Sequence, residues 1–175
     1  SNDDALFLMG YANLTIDILR KISSNNLKII IVPSINDVNE QIDEFLSDVT
    51  LDNISQQSVS GNSFTSIKKD NINDLYLNNL FNKNNSNTDR DIKIFKFNNI
   101  VESDNTIVSL ENNNAFINKY IIDNNYIYLL SSGFNLNESN FPIKGTFIPF
   151  LYYLINNTLE PYYTFDTMND FHLSA

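Results

Sequence analysis

The chain has 175 residues, 42% of them hydrophobic, a formal net charge of −10 and no cysteine. This length and apolar content suit one ordinary domain with a real hydrophobic core. The acidic balance argues against nucleic-acid binding, which needs clustered lysine and arginine, and the missing cysteines exclude disulfides, thiolate metal sites and a cysteine nucleophile.

The first fifty residues alternate between strand and helix patterns. Ala5–Met9 is a short apolar strand that ends at Gly10, and Asn13 caps a predicted amphipathic helix. Leu27–Val32 is an almost uninterrupted β-branched run, as central parallel strands are. A second helix, with apolar residues spaced from Val38 to Val49, follows it. This order predicts right-handed βαβ crossovers and a parallel sheet.

The middle of the chain changes character. Residues 51–73 are polar with isolated apolar positions, which predicts short strands or an extended excursion, and Leu75–Phe81 predicts a short helix. A β-meander is then predicted, with tight turns at Asn112–Asn114 and Asp123–Asn125. Its strands are residues 91–100, 106–110 and 115–122, leading into the strand Tyr126–Leu130.

The rest of the predicted fold is arranged around the segment from residue 121 to residue 158. After the strand Tyr126–Leu130 comes the loop Phe134–Gly145 and then a helix for which Thr146 is the predicted N-cap, with Pro149 in the first turn. Open α/β folds place ligand crevices at such a carboxyl end of a strand. The loop carries four apolar side chains, those of Phe134, Leu136, Phe141 and Pro142. They could line a pocket or a docking surface. We favour the alternative, in which they pack beneath the loop against the helix. Residues 1–158 form the predicted domain, and residues 159–175 form a tail or begin another.

Sequence motifs typical of catalytic sites are weak or absent along the whole sequence. The chain has no Gly-x-Ser-x-Gly elbow, phosphate loop or paired-histidine motif. Ser34 is the one candidate nucleophile after a central strand, but the single histidine is His172 in the tail, so a cap or turn role for Ser34 is favoured. The acidic residues between 37 and 44 read as a solvated helix face, and residues 70–74 lack the glycine and bidentate glutamate of a calcium loop. We therefore predict no catalytic, metal or cofactor site.

Several segments together resemble the soluble C-terminal region of BatA-like membrane proteins, which are named for bacterial aerotolerance operons. The resembling segments are Ala5–Leu8, Leu27–Ser34, Asn39–Leu46, Ser109–Phe116, Ser139–Pro142 and Phe147–Tyr152. The resemblance implies a flavodoxin-like, class I glutamine amidotransferase-like three-layer α/β fold, with a mostly parallel sheet and an antiparallel meander. It also implies an inner-membrane parent with this domain on the periplasmic side. The chain departs from the family in two ways: Asn113 or Asn114 stands where a turn glycine is usual, and the first βα units are missing upstream.

The turn Pro33-Ser34 stands where the amidotransferase fold carries its nucleophilic cysteine. The resemblance therefore implies a non-catalytic scaffold or interaction domain. Its partners would be other protein subunits or neighbouring domains, with no nucleic acid and with membrane contact only through segments outside this region. Two alternatives remain open: a hydrolase that uses Ser34 with acidic helpers, and a carbohydrate or small-ligand module with a pocket lined by Tyr11, Phe134 and Phe141.

Overall fold

A computed structural model describes residues 5–10, 17, 28–34, 54–70, 72–83, 92–122 and 125–156. Its elements, in chain order, are β1 (Ala5–Met9), β2 (Lys28–Val32), β3 (Ile54–Ser66), α1 (Leu75–Lys83), β4 (Lys93–Ile100), β5 (Thr106–Ser109), β6 (Ala115–Ile122), β7 (Asn125–Leu130), a 3-10 helix (Phe141–Ile143) and α2 (Phe147–Asn156). The predicted helices after Asn13 and between Val38 and Val49 lie outside the described residues, apart from Asp17, which is helical.

The main sheet has five strands in the order β1-β2-β7-β6-β5. Phe7 pairs with Ile30, and Ile30 pairs with Tyr128, so β1, β2 and β7 form a parallel ladder. β6 is antiparallel to both of its neighbours, so β5 again points in the direction of the parallel strands. The predicted parallel pairing of β1 with β2 is confirmed, and the chain is a mixed α/β protein whose sheet is mostly parallel.

The interior strand β2 is buried on both faces. Ile29, Ile30 and Ile31 each have 0% exposed surface, and successive side chains on a strand point to opposite faces. Neither face of the sheet therefore meets solvent at this strand, which explains its β-branched run without alternation. α1 and α2 contribute to the core on the face that carries Ile30 and Tyr128.

α2 runs back across that face from the carboxyl ends of the parallel strands to their amino ends. The ring of Phe147, at its start, lies 5.1 Å from the ring of Phe134 in the loop after β7. Near its last turn the Ile155 carbonyl accepts a 2.6 Å hydrogen bond from Nζ of Lys28, at the start of β2. A lysine at a helix C-terminus also complements the helix dipole. The predicted helix is therefore confirmed; its start contacts the loop after β7 and its end is bonded to β2.

The start of α2 differs from the prediction in one detail. Thr146 precedes the helix, and its carbonyl accepts the N–H of Phe150 at 3.0 Å. Its side-chain Oγ1 is buried but accepts no hydrogen bond from the described residues. A capping hydroxyl usually takes the N–H of the second or third helical residue. Pro149 is that third residue and has no N–H, so it fits the first turn but removes the usual partner of the cap.

The predicted meander is wrong at its first strand. β5, β6 and β7 pair antiparallel as expected, but β4 pairs with β3 in a separate two-stranded sheet. On the other side, β4 meets the loop after β7: the N–H groups of Phe95 and Lys96 donate to the Glu138 carbonyl at 2.7 and 3.1 Å. The alternation of residues 91–100 therefore identified a strand but not its partner, because alternation carries no information about which distant segment completes the ladder.

The turn between β5 and β6 yields a test of backbone strain. Asn113 has a φ of 62°, and its N–H donates to the Leu110 carbonyl at 3.0 Å. Glycine and asparagine tolerate this left-handed conformation, whereas it costs other residues roughly 1–2 kcal/mol. We expect Asn113→Val to lower the free energy of unfolding by about that amount and Asn113→Gly to stay within about 0.5 kcal/mol of wild type, as measured by urea denaturation.

Asn112→Val is the matched control, because Asn112 is also exposed but has no positive φ. An equal loss of stability at positions 112 and 113 would contradict the strain argument.

Candidate functional site

The carboxyl ends of β2 and β7 lie side by side because the two strands are parallel neighbours. The side chain of Glu138, from the loop after β7, is 3% exposed and reaches this edge. A Cβ added to Gly133 would overlap Oε2 of Glu138 and would lie 2.6 Å from the Pro33 carbonyl oxygen. The carboxylate therefore lies against the backbone that follows both strands, in the position where open α/β folds bind ligands.

The main chain around Glu138 is held from two sides. Its carbonyl accepts the two β4 N–H groups, and its own N–H donates to the Asn135 carbonyl at 3.0 Å. Oγ of Ser132 donates to the Lys96 carbonyl at 2.8 Å, which attaches the same loop to β4 a second time. Glu138 was not predicted as a site residue, although it is the only acidic residue in the loop Phe134–Gly145.

Ser34 follows β2 and is half-buried. Within the described part of the chain its side chain makes no hydrogen bond. The possible base His172 and the acidic residues between 37 and 44 lie outside the described residues, as do the residues that Ser34 would cap. The structure therefore brings Ser34 to the carboxyl edge of the sheet, and no hydrogen bond joins its side chain to a base among the residues that the structure describes.

Two of the apolar loop residues predicted to pack against the helix, Phe134 and Phe141, do so, whereas the prediction is wrong for Leu136, which is 59% exposed. Phe141 is 1% exposed, and its ring centre is 5.1 Å from that of Phe150 and 5.3 Å from that of Phe147. Phe134 is partly buried and meets Phe147 edge to face. Pro142 lies in the 3-10 helix and is half-buried. Such offset and perpendicular ring pairs add roughly 0.5–1.5 kcal/mol each beyond area burial. Tyr11, the other ring of the predicted pocket, lies outside the described residues.

A polar cluster that the sequence analysis missed lies under the helices. Nζ of Lys119 is 4.7 Å from the ring centre of Tyr126 and 5.8 Å from that of Tyr128. The hydroxyl of Tyr153 donates to Oδ2 of Asp74 at 2.8 Å. Burial lowers the pKa of Lys119, and the negative charge of Asp74 partly opposes that shift. The sequence signal that could have indicated this cluster is the alternation of side chains along β6, which places Lys119 on the same face of the sheet as Ile117.

An exposed apolar surface, the α1–α2 face, covers the outside of the two helices. It consists of Leu75, Tyr76, Ile148, Tyr152 and Ile155, all exposed. Three of them recur at i, i+4 and i+7 along α2, which contains no charged residue. The hydroxyl of Tyr76 donates to the Pro149 carbonyl at 3.2 Å, so the two helices form one surface. An apolar spacing typical of a buried helix face predicts five inward-facing residues on α2, namely Phe147, Phe150, Leu151, Leu154 and Ile155. This is wrong for Ile155, which is 42% exposed.

Comparison with models of protein families, with curated proteins and with solved structures finds no match for this chain. The resemblance to BatA-like proteins therefore stays a prediction. Among the described residues, no helix is long and apolar enough to span a bilayer, and no group of three acidic or histidine side chains is placed to hold a metal ion.

Gly133 offers a test of the packed carboxyl edge. Because a Cβ there would overlap Glu138, we expect Gly133→Ala to lower the free energy of unfolding by about 1–3 kcal/mol. Removing the carboxylate in Gly133→Ala/Glu138→Ala should restore part of the loss, but not all, because the Pro33 carbonyl stays close. The exposed Gly145→Ala serves as the control. An unchanged stability for Gly133→Ala in urea denaturation would disprove this arrangement.

The lowered pKa of Lys119 predicts that the stability of the protein depends on pH. This pKa is lowered in the folded protein, so the unfolded chain binds more protons between that value and the ordinary lysine value. The contribution of Lys119 to stability should therefore rise as the pH increases through this window. Urea denaturation from pH 7 to about pH 10 should show this rise for wild type, relative to Lys119→Arg, which stays charged, and to Lys119→Met, which carries no charge.

Parallel stability curves for wild type and Lys119→Arg would show that Lys119 has an ordinary pKa.

Proposed function

We propose that this chain is a non-catalytic protein-interaction or scaffold domain of a membrane-anchored, BatA-like bacterial protein. The observation that supports the proposal best is the α1–α2 face, an uncharged apolar surface on an otherwise acidic chain. The proposal includes a flavodoxin-like, class I glutamine amidotransferase-like three-layer fold and a periplasmic location, both of which rest on the resemblance.

The sheet supports the proposed fold in a general way. The parallel order β1-β2-β7 and the helix that returns over it are the building units of doubly wound α/β proteins. Burial on both faces of β2 is what three layers require. The antiparallel strands β6 and β5 extend that sheet on one side.

The carboxyl edge supports a role without catalysis. Cysteine is absent from the chain, and the turn Pro33-Ser34 occupies the position of the nucleophile in the resembling fold. The buried side chain of Glu138 also lies against the backbone after β2 and β7. A substrate that entered between these two strand ends would have to displace that carboxylate.

The α1–α2 face supports docking to another protein domain. Contiguous exposed apolar patches on soluble domains mark interaction sites, and the centres of protein interfaces are poor in charge and rich in aromatic residues. Tyr152 and Tyr76 are residues of the type that carries most of the binding energy at such centres. Because α2 has no charge, we propose that its partner is an uncharged, apolar face of a neighbouring domain or subunit in the same assembly.

The test is site-specific photo-crosslinking in the full-length gene product in its native membrane. A photoreactive amino acid at Tyr152 should crosslink to one defined domain, and mass spectrometry of the crosslinked peptide should identify an apolar surface there. The same probe at Val101, which is 60% exposed but follows β4, is the control and should give no such product. Ile148→Glu should reduce the Tyr152 crosslink about tenfold or more, as removal of a central interface residue does.

Equal crosslinking from Tyr152 and Val101 would contradict docking at this face. A full-length gene sequence without membrane segments would contradict the anchored parent. Hydrolysis of glutamine or of an ester by the purified chain that is abolished by Ser34→Ala would replace the proposal with the hydrolase alternative.

A further inference from the structure

A groove of about 380 Å³ opens where the two sheets meet. Residues from β3, from β4 and from the turn between β5 and β6 line it. Those used in the argument are Phe64, Thr65, Phe95, Phe97, Glu111 and Asn112. Its volume lies within the usual range of small-ligand sites, and such sites are frequent where two structural units meet.

The groove arises from an irregularity in the β3–β4 ladder. Ser60 pairs with Lys96, and the next pair is Thr65 with Ile94, so residues 61–64 of β3 stand against Phe95 alone. Extra residues of this kind bend a strand and re-aim its side chains, and they are common next to binding sites. Phe64, the last of them, is 50% exposed and presents its ring to the groove.

The opposite wall is fixed by backbone hydrogen bonds. The N–H of Lys68 donates to the Ser109 carbonyl, and the N–H of Glu111 donates to the Ser66 carbonyl, both at 2.9 Å. Ile67 and Leu110 form an antiparallel bridge between these two bonds. The turn that carries Glu111 is therefore attached to the end of β3, so the groove exists before any ligand arrives, which lowers the entropic cost of binding.

The chemistry of the lining is mixed and close to neutral. Phe64, Phe95 and Phe97 supply apolar surface, while the exposed Glu111 and Asn112 supply a carboxylate and an amide. Oγ1 of Thr65 is buried and has no hydrogen-bond partner among the described residues. Nζ of Lys93 lies 4.4 Å from the ring centre of Phe64, so a ligand that stacks on this ring would have to use its opposite face.

We propose that this groove binds a neutral saccharide of one or two sugar units. The apolar C–H face of a pyranose ring fits the exposed ring of Phe64, and its hydroxyl groups can donate to Glu111 and both donate to and accept from Asn112. A cationic ligand would be repelled by Lys93 beside the same ring, and an anionic ligand would be repelled by the carboxylate of Glu111. A purely apolar ligand would leave the polar wall unpaired.

This site is separate from the proposed docking surface. None of its residues belongs to the α1–α2 face, so each surface can be tested with a variant of the other as its control. A sugar-binding groove is also compatible with either outcome of the docking experiment.

The experiment begins with a glycan array probed with the purified chain, which should show binding to a subset of neutral glycans. NMR titrations with N-acetylglucosamine, cellobiose and the array's best glycan then measure the affinity and should shift the side-chain signals of Asn112 and Thr65. Phe64→Ala should weaken binding about tenfold or more, whereas Phe64→Tyr, which keeps the ring, should retain it. Glu111→Gln should weaken binding less, and the docking-face variant Tyr152→Ala should bind as wild type does.

Arginine amide and glucose 6-phosphate serve as the cationic and anionic probes. Tighter binding of either than of the neutral sugars would overturn the proposal. The proposal would also be overturned if no glycan on the array bound the chain and high millimolar sugar shifted no NMR signal of Asn112 or Thr65. Equal sugar affinity of wild type and Phe64→Ala would overturn it too, provided that circular dichroism shows the variant to be folded.

Discussion

The parallel pairing of β2 with β7 is the constraint on which the other features of the protein depend. It brings two uninterrupted apolar strands together, and side chains on both faces of β2 are then withdrawn from water. At roughly 25 cal/mol per Å² of apolar surface, this burial is a main favourable contribution to folding. The pairing also sets the carboxyl ends of the two strands side by side, so Pro33 and Gly133 approach each other and the carboxylate of Glu138 lies against both.

The loop after β7 connects this sheet to the smaller one. β4 uses one edge to pair with β3 and the other to hold the backbone at Glu138 and Asn140. Through that attachment the loop holds the Glu138 carboxylate at the carboxyl ends of β2 and β7, where α/β enzymes usually keep a crevice open. Two other surfaces are open among the residues that the structure describes: the α1–α2 face on the helices and the groove at the junction of the sheets. Their chemistry differs, since the first is apolar and uncharged and the second combines aromatic rings with polar groups.

Lys119 and Asp74 show where local patterns and tertiary packing disagree. The alternation of β6 directs Lys119 toward the helix-covered face, where a bare ammonium group would be unfavourable. The rings of Tyr126 and Tyr128 and the charge of Asp74 reduce that cost. Asp74 itself accepts the N–H of Leu77 at 2.9 Å at the start of α1 and the hydroxyl of Tyr153. One carboxylate thus serves as a helix cap, as a partner for α2 and as a counter-charge, and these roles come from segments far apart in the chain.

By itself, the sequence determined several of the described strands and helices, including β1, β2, β7 and α2, because spacing of two or 3.6 residues is local information, but it did not identify the 13-residue strand β3. It also indicated the parallel pairing of β1 with β2, since a strand, a helix pattern and another strand follow one another closely. Only the tertiary structure decided that β4 pairs with β3, that Glu138 fills the carboxyl edge and that Phe64 borders a groove. Each of these depends on which distant backbone completes a ladder or closes a wall, and no local pattern of residues encodes that choice.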